Sequence, residues 1–147
     1  MTTLALIRPS EWEIPLFFHV LGAMVLVGAS LLALTALATA WRADDAAALR
    51  VGYRALLLGA LPGWLVMRVF AQITLDKSPF DEDSTWVTIG FITSEPLLLF
   101  LIAATVLAGI SSRRAAGGTR VRVAVVLVAI LLLAYLVTLW AMTTKPA

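Results

Sequence analysis

Of the 147 residues, 61% are apolar and 14% are charged, and the mean hydropathy is +0.98. The apolar residues lie in runs too long for soluble core helices, which excludes a soluble enzyme domain and a disordered chain. A nucleic-acid binder is excluded as well, because the pI of about 9.5 comes from arginines clustered in two short loops and not from a basic face.

A bilayer core of roughly 30 Å takes about 20 helical residues at about 1.5 Å rise. Stretches of that length bounded by charge occur at about residues 14–41, 51–75, 86–110 and 121–142. They lack the alternating polar face of a barrel wall, and in lipid each segment must satisfy its own backbone groups. The predicted fold is therefore all-α: a single-domain, four-helix transmembrane bundle in the lipid bilayer.

In the first span, Gly22, Ala23, Leu26, Ala29, Ser30 and Ala33 follow His19 at helical spacing. This stripe of mostly small residues should face protein and carry the imidazole inward with it. Ala38, Thr39 and Ala40 mimic a leader cleavage site. The preceding run is far longer than a leader's apolar region and is led by Arg8, Glu11 and Glu13, so a retained span is expected.

Arg42, Arg50 and Arg54 occupy the first connection, where Ala46 to Leu49 could form a helical turn. In the second span Gly59 and Gly63 stand four apart with Pro62 between them, a packing signal with a bend. Trp64, Arg68 and Gln72 then follow one another at i+4, which permits the guanidinium to stack on the indole. The outer loop from about Asp76 to Thr85 carries Asp81, Glu82 and Asp83 and reads as a solvated connection, with weak divalent-ion binding by Asp76, Asp81 and Asp83 as the alternative.

Glu95 precedes Pro96 in the third span. Proline disfavours helical geometry at the residue before it and lacks a backbone donor, so this helix is either kinked there or begins there with Ser94 as N-cap. The second Arg-rich connection holds Arg113, Arg114, Arg120 and Arg122 with the flexible pair Gly117 and Gly118. Tyr135 in the fourth span offers a hydroxyl at a depth equally suited to burial against a neighbour.

Seven basic residues thus lie in the two connections, against Arg8, Lys77 and Lys145 on the other side. The positive-inside rule then predicts a multi-pass protein of the cell membrane with both termini extracytoplasmic. Trp12, Trp86 and Trp140 fall near the outer ends and Trp41 near an inner end, as in an aromatic belt.

His19, Arg68 and Glu95 lie at comparable depth in the outer leaflet. A charge facing lipid costs about 2.5 to 3.5 kcal/mol near the bilayer centre, which favours a charge pair between Arg68 and Glu95 with His19 accepting or donating beside them, the three lining one outward-facing polar cavity. His19, Arg68, Glu95, Gln72, Trp64 and Tyr135 are the candidate substrate-binding or proton-handling residues. None is assigned a catalytic role, because no nucleophile–base pair, paired catalytic carboxylates, phosphate loop or metal motif accompanies them. No resident cofactor or metal is expected.

The segment Phe18-His19-Val20-Leu21-Gly22-Ala23-Met24-Val25-Leu26-Val27-Gly28 resembles small uncharacterised bacterial four-span membrane proteins and, more distantly, the copper-resistance D membrane domain. The likeness covers about one helix. The copper-associated family implies further histidine or methionine ligands, and Met24, Met67 and Met142 stand in no clear ligand spacing with His19.

The leading functional expectation is a transporter, channel or carrier subunit for a small solute, ion or proton, working as a homodimer or with a partner membrane subunit. One alternative is an electron-transfer subunit with haem b or quinone. A single histidine then requires the second axial ligand from another chain. Another is a non-catalytic assembly subunit whose polar layer only sets helix register.

Overall fold

A computed structural model describes residue 11 and residues 13–77, 85–113 and 118–144, with side chains 85–89, 91–93, 141, 142 and 144 left aside. Four helices, each with a stretch long and apolar enough to cross a membrane, follow the expected spans. They are α1 (Glu13–Ala43), α2 (Ala46–Lys77), α3 (Thr85–Ser112) and α4 (Thr119–Thr144). Arg8, Trp12, Asp81, Glu82, Asp83, Arg114, Gly117 and Lys145, with the side chains of Trp86 and Met142, lie outside the described residues.

Only Asp44 and Asp45 separate α1 from α2. Asp44 takes a left-handed φ of 51°, a conformation aspartate tolerates better than most residues. The Asp45 carboxylate then accepts from the backbone N–H groups of Ala47 at 2.7 Å and Ala48 at 3.1 Å, capping α2 at its exposed donors. This cap starts the helix at Ala46, so Arg50 and Arg54 belong to its first turns and not to a loop.

Pro62 does not break α2, because the chain widens ahead of it. Leu56–Ala60 form a π-helical turn in which the Leu61 N–H reaches back five residues to the Leu56 carbonyl. The extra residue accommodates the proline ring, which would otherwise meet the carbonyl of Leu58. α3 likewise continues through Pro96. Of the two alternatives, a start at Ser94 is corrected: the helix starts nine residues earlier, at Thr85. Ser94 is an interior residue and Glu95 is helical despite the proline after it, because neighbouring helices in a bundle support the backbone that proline leaves unsatisfied.

The antiparallel helices pack α1 on α2, α2 on α3, α3 on α4 and α4 back on α1. Every helix buries one stripe at three- and four-residue intervals. On α1 it is Gly22, Leu26, Ser30, Ala33, Leu37 and Ala40, the stripe expected from His19 carried to the far end. Leu26, Leu37, Leu56, Leu101 and Leu131 are fully buried and fill the interior. The opposite faces expose Met24, Leu58, Leu99 and Leu133, as lipid-facing helices do.

The closest approach joins α1 to α2. A Cβ on Gly22 would stand 2.5 Å from the Met67 nitrogen and 2.9 Å from the Gly63 oxygen, and one on Gly63 would stand 2.8 Å from the Leu26 nitrogen. Backbone therefore meets backbone, and Gly59 against the Ala29 methyl extends the contact. At the Arg-rich end the Arg122 guanidinium lies 5.6 Å from the centre of the Trp41 ring, linking α4 to α1.

Overpacking this seam should cost about 1 to 3 kcal/mol. Gly22→Ala and Gly63→Ala are expected to lower the melting temperature in detergent. Gly28→Ala, with nothing within 4 Å of the new methyl, should leave it unchanged or raise it slightly.

Candidate functional site

The glycine contact determines where His19 reaches. His19 lies one turn before Gly22, and Met67 lies one turn after Gly63. With the two backbones touching, His19 Nδ1 comes within 2.8 Å of the Met67 carbonyl oxygen. A carbonyl only accepts, so Nδ1 carries the proton and donates it, and in the neutral ring Nε2 keeps its lone pair. The ring is half-buried in the α1–α2 seam, and nearby Phe18 stacks on Phe70 at 4.9 Å.

A second polar group occupies the α2–α3 seam. Arg68 Nη2 and Glu95 Oε1 are 3.1 Å apart, with side-chain exposures of 23% and 66%. Arg68 Nη1 also points to Gln72 Oε1 at 3.5 Å, and Gln72 Nε2 donates to Asp76 Oδ1 at 3.0 Å. The four form a ladder that begins at Glu95 and climbs α2 toward its end at Lys77. The expected pairing of Arg68 with Glu95, and the extension by Gln72, are both present.

Trp64 has a different place from the one the i+4 spacing suggests. Its indole Nε1 donates to the backbone carbonyl of Ser94 at 3.1 Å, so its polar edge ties α2 to α3 beside the Arg68–Glu95 bridge. Ser94 itself is buried. The indole thus joins α2 to α3 at the residue before Glu95.

Tyr135 stands apart. It is buried in the core of α4, and its hydroxyl, like that of Ser30 on α1, has no hydrogen-bond partner among the described residues. The expectation of one polar cavity lined by His19, Arg68 and Glu95 is corrected, because the candidate residues are divided between two seams and the core. Arg68, Glu95, Gln72 and Trp64 share one seam, His19 bonds to backbone in another, and Tyr135 is part of the core.

Sequence reading did not identify the acceptors Met67 and Ser94, because both act through main-chain oxygens, which every residue possesses. Asp76, expected in the outer loop, instead lies in the last turn of α2 and accepts from Gln72; the signal for it in the sequence is that it continues the Trp64, Arg68, Gln72 spacing by one more turn. No protein-family model, curated protein or solved structure matches this chain.

The large exposure of Glu95 limits what its ion pair contributes to stability. A double-mutant cycle on Arg68→Met and Glu95→Gln, followed by denaturation in mild detergent, should give a coupling of about 0.2 to 1 kcal/mol. Trp64→Phe, which deletes a largely shielded hydrogen bond, should cost about 1 kcal/mol.

Proposed function

We propose that this chain is a transport subunit that handles a small ion, solute or proton at its lateral surface, with a second copy or a partner membrane subunit completing the path. The carrying observation is the Arg68–Glu95 bridge, in which the guanidinium is three-quarters covered while the carboxylate is two-thirds exposed. Charges within a span are costly unless paired or solvated, and they concentrate where ions and protons pass. The interior is filled by fully buried leucines, which favours the seam over an axial pore.

In this reading Arg68 pairs with Glu95 and attracts an anionic group. An incoming anion or a proton on Glu95 exchanges with the bridge, while Gln72 and Asp76 continue the hydrogen-bonded row toward the end of α2. Proteoliposomes carrying the purified chain should conduct protons or small anions above the protein-free baseline. Arg68→Ala and Glu95→Gln are expected to return the flux to baseline, whereas Gly28→Ala retains it. Unchanged flux in both charge variants removes the basis of the proposal.

A second reading rests on His19. Its Nδ1–H is held by the Met67 carbonyl, an arrangement that orients an imidazole to ligate through Nε2. Since the chain has one histidine, a bis-histidine haem would take His19 from two chains. Protein expressed with haem supply should then show a Soret band that His19→Ala abolishes, and its absence in the parent chain counts against this reading.

A further inference from the structure

At the end of the bundle opposite the Arg68–Glu95 bridge, the α2–α3 seam opens into a groove of about 370 Å³. That volume lies in the range of about 300 to 1,000 Å³ typical of small-molecule sites. Its walls are Tyr53, Leu57 and Leu61 on α2 and Ile102, Val106 and Gly109 on α3, with Thr105 at its side and Arg113 at its end. We propose that this groove binds one anionic phospholipid from the leaflet at the Arg-rich end, one of its two acyl chains lying along the seam and the phosphate meeting Arg113.

The walls select for hydrocarbon. The Thr105 hydroxyl donates to the Leu101 carbonyl at 2.7 Å, so its proton is already committed within α3. Gly109 lets the Tyr53 ring lie against the α3 backbone, since a Cβ there would stand 2.9 Å from ring atom Cε2. The groove also opens sideways: Leu57, Ile102, Val106 and Ile110 are all exposed, on the surface that acyl chains reach in a bilayer.

The mouth selects for anionic charge. Arg113 follows the last turn of α3 and is exposed. Helical spacing places Arg50 and Arg54, both exposed, on the side of α2 that carries Leu57 and Leu61. Tyr53 abuts Gly109, so Arg50, three residues nearer the start of α2, lies level with Ser112 and Arg113. Basic pockets between transmembrane helices at the cytoplasmic face are suited to anionic headgroups, and the positive-inside rule assigns this end to that face.

Native mass spectrometry of the full chain in uncharged detergent tests the proposal, with phosphatidylglycerol and phosphatidylcholine of matched chains as probes. One phosphatidylglycerol should be retained per chain in preference to phosphatidylcholine. Arg113→Ala should weaken its binding roughly fivefold, whereas Arg122→Ala, stationed over Trp41, should not. Ile102→Trp should displace the lipid by filling the groove. Thermal shifts of the parent chain, larger with phosphatidylglycerol than with phosphatidylcholine, give the same reading without a variant. Equal retention and equal shifts with both lipids, or a dimer that Ile102→Trp dissolves, overturn the proposal, because the groove then holds unselected lipid or a second copy.

Discussion

The contact on which the arrangement rests is the meeting of two helix backbones at Gly22 and Gly63. In lipid there is no hydrophobic drive to bring apolar helices together, so close packing and main-chain approach carry the association. Two residues without side chains let α1 and α2 touch, and the small residues Ala29 and Gly59 prolong the contact. The His19 hydrogen bond to Met67 follows from that approach, since an imidazole one turn from the contact reaches a main-chain oxygen only if the helices are this close.

Beyond the first turn of a helix, proline stands at Pro62 and Pro96 without ending it, and both lie near a polar or open part of the α2–α3 seam. Pro62 is met by a π-helical turn, and the groove wall passes along that turn through Leu57 and Leu61. Pro96 follows Glu95, and the indole of Trp64 bonds to Ser94 just before it. The Trp64–Ser94 hydrogen bond thus crosses the seam between the groove on one side and the Arg68–Glu95 bridge on the other. α1 and α2, whose contact is backbone on backbone, form the more closely packed pair.

Charge is distributed along the same seam. Arg113 ends it on one side, and the Arg68–Glu95 bridge ends it on the other. Four threonine hydroxyls are hidden by local bonding: Thr35, Thr74, Thr105 and Thr138 each donate to a carbonyl one turn earlier in their own helix. Such bonds let polar residues sit in a membrane span without marking a site. What distinguishes Arg68 and Glu95 is that their partners lie across a helix boundary.

The number of crossings, the buried stripe of α1, the pairing of Arg68 with Glu95 and the basic asymmetry were all legible in the residues. Each is a property of one helix or of transfer from water into lipid, and helical periodicity and charge express these directly. The start of α2 was legible only in part, because the Asp45 cap lay beside arginines that read as loop. Tertiary structure alone decided that His19 and the Arg68–Glu95 bridge occupy different seams, that Tyr135 joins the core, and that Trp64 ties α2 to α3. The reason is physical: which helices become neighbours, and which main-chain carbonyls they present, depends on the mutual approach of four cylinders, and a carbonyl carries no residue name for the sequence to reveal.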